Sequence, residues 1–394
     1  MKQDELNEQT VAIHHHYDAQ QFHGSLATPL FQTSTYAFET AEQGERRFRG
    51  EEDGYIYSRL GNPTVQILQD RIAALEQGEA ALAFSSGMAA VSAILTYLTK
   101  AGDHIVCSRG IYGCTFGLLQ LMEEKYEISH HLIRMTTEQE IEQAIQPNTT
   151  CIYVETPINP TMELVNLKAV VAVAKRHNIR VVVDNTFSSP YLQKPLTLGV
   201  DYVLHSATKY INGHGDVIAG LLIGRDGEQI EAIHMSVLKD YGGVMAPFDA
   251  WLLLRGLKTL PLRMDKHTQN AQQLLTFLKS REEVDEVYYP FDNNNPQYAI
   301  AKEQMRAGGG ILSFTLKGTK EDAQRFMNRL RLIKIAVSLG DAETLIQHPA
   351  TMTHAVVPEE ERLQMGITDQ LLRLSVGLEH IDDLINDLTT AFEA

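Results

Sequence analysis

From about residue 61 onward, short apolar runs alternate with stretches of helical periodicity. The short runs predict strands at Ala81–Ser85, His104–Ser108, Cys151–Glu155, Arg180–Asp184, Tyr202–His205 and Val217–Ile223. Helical patterns between them cover Met88–Thr99, Thr137–Ile145 and Leu167–His177. This alternation is typical of βαβ units that feed a parallel sheet. Several runs are almost wholly apolar, as expected for strands covered on both faces. The sequence therefore predicts an α/β fold with a mostly parallel central sheet.

The pattern changes at both ends of the chain. The first 60 residues lack strong periodicity and predict an irregular arm. After Arg255 the chain has a long amphipathic helix and an α+β pattern. The helices predicted there are Asp265–Ser280, Lys320–Leu330 and His380–Phe392, and the strands are Gly310–Leu316, Ile333–Ser338 and Leu371–Val376. We therefore predict an arm at 1–60, an α/β domain at 61–255 and a smaller C-terminal α+β domain at 256–394.

Composition narrows the possible partners. The 394 residues contain 34 Lys and Arg against 50 Asp and Glu, which gives a net charge of −16. Such a chain repels nucleic acid and anionic membranes, because binding to polyanions relies on Lys and Arg. Three cysteines, a polar N-terminus and the lack of a long apolar stretch favour a cytoplasmic protein. We interpret the His14–His16 run as incidental and predict no metal site.

Residues that can carry chemistry follow the predicted strands, where open α/β sheets bind ligands. Each has an ordinary alternative, namely a glycine packing turn, a half-buried tyrosine, a helix-capping aspartate or a solvated lysine. These residues are the Ser86–Gly87–Met88 turn before a helix, Tyr112 and Cys114 on a loop, Asp184 at a strand end, and Ser206, Thr208 and Lys209 after the next strand. Together they supply an anion site, an aromatic ring, an acid and an amine. Pyridoxal 5′-phosphate requires this combination.

The chain resembles the cysteine/methionine-metabolism family of pyridoxal-phosphate enzymes over essentially its full length. The matching segments are YIYSRLGNPT at 55–64, SSGMAA at 85–90, ETPINP at 155–160, DNTFS at 184–188, SATKY at 206–210, GHGD at 213–216, RGLKTL at 255–260, HPATMTH at 348–354 and RLSVGLEH at 373–380. The resemblance implies the fold-type I, aspartate-aminotransferase-like architecture.

The resemblance also implies roles for individual residues. Lys209 would attach the cofactor, and Asp184 would keep the pyridine nitrogen protonated. The phosphate would be bound by Gly87, Met88, Ser206 and Thr208, and by Tyr57 and Arg59 of a neighbouring subunit. The catalytic unit would then be at least a homodimer and commonly a tetramer, a dimer of dimers. Tyr112 would stack on the ring and act as acid or base, with a pKa lowered by the cofactor and Arg59.

Substrate residues are implied in the same way. Arg373 would bind the substrate carboxylate, with Ser338 nearby. Cys114, the Lys239–Asp240 pair and Val337, which stands where many cystathionine γ-lyases have glutamate, point to the methionine γ-lyase subgroup. An apolar residue before Ser338 suits a neutral thioether better than a distal ammonium.

The expected reaction is α,γ-elimination of L-methionine to methanethiol, 2-oxobutanoate and ammonia, with homocysteine as a further substrate. Whether Cys114 takes part in chemistry or only shapes the pocket stays open. Cystathionine γ-lyase, homocysteine desulfhydrase and O-acetylhomoserine sulfhydrylase remain alternatives within the family. A non-catalytic binding protein on the same fold is a further alternative, but such a protein would not need the lysine.

Overall fold

Two β-sheets organise the chain, which a computed structural model describes for residues 6–355 and 357–393. Residues 1–5 of the predicted arm, position 356 and Ala394 lie outside the described residues. The strands of the first sheet are β1 Ala80–Phe84, β2 His104–Ser108, β3 Ser129–Ile133, β4 Thr149–Glu155, β5 Arg180–Asp184, β6 Tyr202–Ser206 and β7 Gly220–Gly224. The strands of the second sheet are β8 Val284–Tyr288, β9 Ile311–Leu316, β10 Lys334–Ile335, β11 Leu345–Gln347 and β12 Leu371–Ser375.

The first sheet has the strand order β1-β7-β6-β5-β4-β2-β3. All pairs from β6 to β3 are parallel, whereas β7 runs antiparallel to both β6 and β1. Two reversals in a row give β1 the same direction as β6. The carboxyl ends of β1, β2, β4, β5 and β6 therefore meet at one edge, and the prediction of an α/β fold with a mostly parallel sheet is confirmed.

Sixteen α-helices within the described residues surround the sheets. They are α1 Glu8–His14, α2 Ala41–Phe48, α3 Pro63–Glu76, α4 Gly87–Leu98, α5 Gly113–Tyr126, α6 Glu138–Ala144, α7 Leu167–His177, α8 Ser189–Leu192, α9 Gly227–Ile233, α10 Lys239–Tyr241, α11 Pro247–Leu257, α12 Leu260–Lys279, α13 Tyr298–Gln304, α14 Lys320–Arg329, α15 Glu359–Gln364 and α16 Ile381–Glu393. Short turns of 3₁₀-helix connect some of them, and a π-helical turn joins α9 to α10.

Helices cover both faces of the first sheet because successive strand side chains point to opposite sides. On β5, Val183 belongs to a core shared with α3, α7 and α11. Its neighbour Val182 belongs to a second core shared with α4 and α5. Burial on both faces explains why these strands are continuous apolar runs.

The second sheet has the order β10-β11-β12-β9-β8 and is antiparallel except for the β10–β11 pair. Helices α12, α14 and α16 pack against it around a third core, which includes Leu274, Phe314, Phe326, Leu374 and Leu388. This sheet carries β12 and the loop after β10 towards the open edge of the first sheet.

Some predicted boundaries were wrong. The strand expected at Ile333–Ser338 is only the two-residue β10, because the chain turns towards a cavity after Ile335. The helix expected from Asp265 already begins at Leu260. The predicted arm is not wholly irregular, since it contains α1 and α2. Strands β3, β8 and β11 had not been predicted.

Among the described residues, no helix combines the length and the apolar character needed to cross a membrane. The same residues contain no group of three or more His, Cys, Asp or Glu side chains that could hold a metal ion.

Candidate active site

A cavity of about 720 Å³ lies at the carboxyl edge of the first sheet, where the second sheet approaches it. Ten residues singled out in the sequence line it: Gly87, Met88, Tyr112, Asp184, Ser206, Thr208, Lys209, Val337, Ser338 and Arg373. They come from six separate loops or strand ends. The topology thus brings together side chains that are up to 286 positions apart, from Gly87 to Arg373 (373 − 87 = 286).

One end of the cavity is formed by the start of α4. Ser86 caps this helix by accepting a hydrogen bond from the Ala89 N–H at 3.0 Å. The backbones there are in close contact, since a Cβ added to Gly220 would lie 2.1 Å from the Ser86 carbonyl oxygen. A Cβ on Gly87 would come within 3.0 Å of the Ser206 Cβ. Free helix N–H groups beside a serine hydroxyl form a cradle suited to a phosphate.

The residues after β6 are held in place by hydrogen bonds at both ends of their loop. The Thr208 hydroxyl accepts from the Ala219 N–H at 2.9 Å, and the Ser206 N–H donates to the Thr186 hydroxyl at 2.8 Å. These contacts tie the Lys209 loop to β7 and to the end of β5. The loop that carries the amine is therefore anchored on both of its neighbouring strands.

Two carboxyl groups lie side by side at the base of the cavity. Asp184 ends β5 and is paired in register with Glu155 on β4. Burial raises the pKa of Asp184, although the hydrogen bonds from Thr186 and the charge of His205 oppose the rise. Burial and the nearby Asp184 raise the pKa of Glu155 still further. A buried carboxylate is stabilised when a cation binds beside it.

Tyr112 and Lys209 face the cavity from different sides. The Lys209 amine donates to the Ser338 hydroxyl at 3.2 Å, and burial lowers its pKa. The Tyr112 N–H donates to a Glu155 carboxyl oxygen at 2.9 Å, which fixes the start of α5. Interaction with the Cys114 thiol and then burial raise the pKa of Tyr112 to about 12. The single chain thus raises the pKa of Tyr112, and the lowered pKa that the resemblance implies would require the cofactor and Arg59 of a neighbouring subunit.

Arg373 lies on β12 and is only 3% exposed. Its guanidinium donates to the Asn159 amide oxygen at 2.9 Å and to the Ser338 carbonyl at 2.6 Å. Burial lowers the pKa of Arg373 to about 10. A planar cation held in this way is suited to bind a carboxylate with two hydrogen bonds.

Two residues of this site were not assigned a role from the sequence. Asn159 orients Arg373, and Glu155 holds the backbone of Tyr112. Both stand in the ETPINP segment, so the motif was visible, but their partners come from distant parts of the chain.

Five predicted site residues do not line the cavity of the single chain: Tyr57, Arg59, Cys114, Lys239 and Asp240. Cys114 is exposed on the first turn of α5. The other four form a separate group. The Arg59 guanidinium lies 5.7 Å from the centre of the Tyr57 ring and donates to the Lys239 carbonyl, and the Lys239 amine is 3.5 Å from Asp240.

The chain is similar to known proteins over almost its whole length. Residues 9–393 match the family model described as Cys/Met metabolism PLP-dependent enzyme. An L-methionine gamma-lyase of Fusobacterium nucleatum subsp. nucleatum is 49% identical and covers 98% of this chain and 97% of its own length. A cystathionine gamma-lyase of Bacillus subtilis is 42% identical over 98% of this chain and 100% of its own length.

Solved structures agree with this assignment. The crystal structure of metB from Corynebacterium glutamicum superposes with a TM-score of 0.94 at 38% identity, covering 100% of this chain and 99% of that chain. The crystal structure of cystathionine gamma-lyase from Lactobacillus plantarum, complexed with L-serine, gives a TM-score of 0.93 at 40% identity, with 98% and 99% covered.

The cavity also fits the cofactor of this family on its own evidence. The start of α4 presents free helix N–H groups to the cavity, and Ser206 and Thr208 line the same cavity, so these groups can bind a phosphate. Asp184 can stabilise a protonated ring nitrogen, and Lys209 supplies an amine within the same cavity. The match over 9–393 and the fit of these residues agree: the chain belongs to the pyridoxal-phosphate enzymes of cysteine and methionine metabolism.

Proposed function

We propose that this enzyme catalyses the α,γ-elimination of L-methionine to methanethiol, 2-oxobutanoate and ammonia, and that it also acts on homocysteine. The supporting observation is that the side chains lining the cavity include the apolar residues Val337, Ile218 and Met352. A neutral thioether can pack against such side chains without leaving a charge unpaired. Relatives that are 47–50% identical and named L-methionine gamma-lyase agree with this function.

Bound pyridoxal phosphate would supply an electron sink for the negative charge that develops on the substrate carbons. The residues that would hold it are Ser206 and Thr208, with Gly87 and Met88 at the phosphate and Asp184 at the ring nitrogen. Asp184 is suited to this role because a cation beside it stabilises the ionised form of a buried carboxylate.

Side chains of the enzyme bind the substrate and transfer the protons. Arg373 binds the substrate carboxylate and thereby fixes the Cα–H bond relative to the Lys209 amine. Lys209, whose pKa burial lowers, accepts the proton from Cα. It must give that proton up to the bound cofactor, the electron sink, before the neutral amine can accept a second proton from Cβ. The Tyr112 hydroxyl donates a proton to the departing methanethiolate sulfur. In the last step, hydrolysis by water releases the keto acid and ammonia.

The catalytic unit is proposed to be a homodimer at least, within a homotetramer. Tyr57, Arg59, Lys239 and Asp240 lie together outside their own chain's cavity. One surface could therefore bring all four residues to the cavity of a partner subunit, where Tyr57 and Arg59 would contact the phosphate. We also propose a cytoplasmic location and the division into an arm at 1–60, a cofactor domain at 61–255 and a C-terminal domain at 256–394.

Cystathionine γ-elimination is the second candidate, because a relative named cystathionine gamma-lyase is 42% identical over 98% of this chain. The test ranks kcat/KM for L-methionine, L-homocysteine, L-cystathionine, and O-acetylhomoserine with sulfide. We expect methionine to exceed cystathionine by about tenfold or more. Val337→Glu should shift this ratio towards cystathionine, because the new carboxylate can pair with the distal ammonium. A rate on cystathionine far above that on methionine in the parent enzyme would refute the proposal.

A further inference from the structure

A buried carboxylate, Asp341, lies beside the loop that carries Lys209. Asp341 is 8% exposed, and its Oδ1 has no hydrogen-bond partner within the described part of the chain. A Cβ added to Gly215 would lie 3.5 Å from both carboxyl oxygens of Asp341. The carboxylate therefore faces the turn at 213–216, whose Gly213 N–H donates to the Lys209 carbonyl at 2.8 Å.

The neighbouring residue fixes this arrangement. Gly340 has a positive φ of +79°, and a Cβ there would lie 2.7 Å from the Tyr210 nitrogen and 3.1 Å from the Lys209 carbonyl carbon. The Gly340 N–H also donates to the Ser375 hydroxyl at 3.0 Å. The backbone before Asp341 is thus in direct contact with the backbone of Lys209. Only glycine permits both this φ and this close approach.

Ser338 lies in the same loop as Asp341 and contacts the Lys209 amine. Its hydroxyl accepts a hydrogen bond from the Lys209 amine at 3.2 Å. A hydroxyl that accepts in this way still has its own hydrogen to donate. Asp341 follows three residues later in the same loop, and interaction with Ser338 lowers the pKa of Asp341. The loop at 338–341 thus brings a hydroxyl to the Lys209 amine and a buried carboxylate beside the backbone of the Lys209 loop.

The interaction between Lys209 and Asp341 favours the charged form of both groups, whereas burial and the other nearby charges oppose it. Burial and then Arg373 lower the pKa of Lys209, whereas Asp341 opposes that change. Burial raises the pKa of Asp341, and Lys209 is the first influence against it. Glu343 and Asp216 raise the Asp341 pKa further, and Asp341 in turn raises that of Tyr210. Asp341 is therefore the acidic group that offsets Arg373 at the amine.

We propose that Asp341 is a positioning residue of the 338–341 loop, which contacts both the amine and the backbone of Lys209, and that its charge stabilises the Lys209 nitrogen when that nitrogen carries a proton. Elimination requires Lys209 to accept protons from two substrate carbons, so the charged amine recurs during turnover. Without Asp341, this charge would form in a buried cavity with one carboxylate fewer to offset the repulsion from Arg373. The inference rests on the cofactor site of the proposed function, but not on methionine as the substrate.

The test compares Asp341→Asn with Asp341→Glu in the cofactor-loaded enzyme. The readout is the pH midpoint of the cofactor's visible absorbance without substrate, which reports protonation of the Lys209 nitrogen joined to it. We expect Asp341→Asn to lower the midpoint by about one unit, because an opposite charge at this range favours protonation. Asp341→Glu keeps the charge and should stay within about 0.3 units of the parent. Glu343→Gln is the matched control, since Glu343 is exposed two residues away, and it should also stay within that range.

A second measurement separates charge from folding. At the pH optimum of the parent enzyme, Asp341→Asn should lower kcat about tenfold with KM within about twofold. If this variant does not retain cofactor, Asp341→Ser takes its place and should lower the midpoint in the same direction, because it also removes the negative charge. An unchanged midpoint in whichever variant holds cofactor overturns the inference, even if activity falls. The absorbance needs no substrate, so a wrong substrate assignment would not affect it.

Discussion

Tyr112 lines the cavity and is the proposed proton donor to the leaving sulfur. Its ring is 41% exposed at the cavity, while its N–H is held by Glu155. Tyr112→Phe removes the proton donor but keeps the ring and the backbone contact. We expect elimination to slow by about 10²- to 10⁴-fold, with the cofactor absorbance unchanged.

Tyr126→Phe is the matched control for this experiment, because Tyr126 is exposed at the far end of the same helix. Steady-state rates of elimination and absorbance spectra of the cofactor, measured for both variants, test this prediction. If Tyr112→Phe turned over methionine as fast as the parent does, the leaving sulfur would have to receive its proton from another group.

At the residue scale, candidate site residues could be predicted from the sequence where they stand within short motifs. Asp184 and Lys209 stand at strand ends, so their position at one sheet edge followed from the fold class. Asn159 and Asp341 could not be assigned in this way. Asn159 acquires its role from Arg373, which is 214 positions away in another sheet. Asp341 depends on a backbone contact that only the folded chain defines.

At the element scale, the contact between β7 and the start of α4 shapes the phosphate cradle. Gly220→Ala would place a methyl group 2.1 Å from the Ser86 carbonyl oxygen, so the helix start must move. We expect a loss of about 1–3 kcal/mol in unfolding free energy together with weaker cofactor binding. Thermal melting with and without added cofactor measures both effects.

Gly117→Ala serves as the control for that substitution. Gly117 lies within α5, and a Cβ there would have no neighbour within 4 Å. Alanine should leave cofactor binding unchanged and stabilise the helix by up to about 1 kcal/mol. Equal cofactor affinity in the two alanine variants would contradict the importance of the β7 contact for the cradle.

Periodicity identified most elements of the first sheet but could not give the direction of β7, because a buried apolar run fits either orientation. Strand β3 escaped prediction for a different reason. It is an edge strand with the sequence SHHLI, and its side chains are only partly buried. An edge strand of this kind is held by backbone pairing to β2 rather than by an apolar pattern.

At the scale of the whole molecule, the proposed shared site predicts complementation between two inactive variants. Lys209→Ala removes the amine of its own cavity, whereas Arg59→Ala removes the group proposed to reach the partner's cavity. Random mixing during refolding would restore one of the two sites in each hybrid dimer. We expect about a quarter of the parent activity in the mixture, with each variant alone nearly inactive.

The control mixture combines Arg59→Ala with a chain carrying both substitutions, in which no hybrid contains a complete site. Hybrids are identified by a mass or charge tag on one chain. If hybrids formed in the test mixture without any return of activity, Arg59 would act within its own subunit. The net charge of −16 is a sum over the whole chain, whereas the cavity places the cations Lys209 and Arg373 beside the carboxyl groups of Asp184 and Glu155.

The pairing of β1 with β7 has a consequence for the order of events at the ribosome. Strand β1 ends at Phe84, but its partner strand is complete only at Gly224. A nascent chain that ends before residue 220 has α4 in its sequence, yet it lacks the strand against which the start of that helix is set. The start of α4, the Ser206 hydroxyl and Lys209 therefore become one site only after most of the first sheet has been synthesised. We expect the cofactor to bind late, after synthesis has passed residue 224.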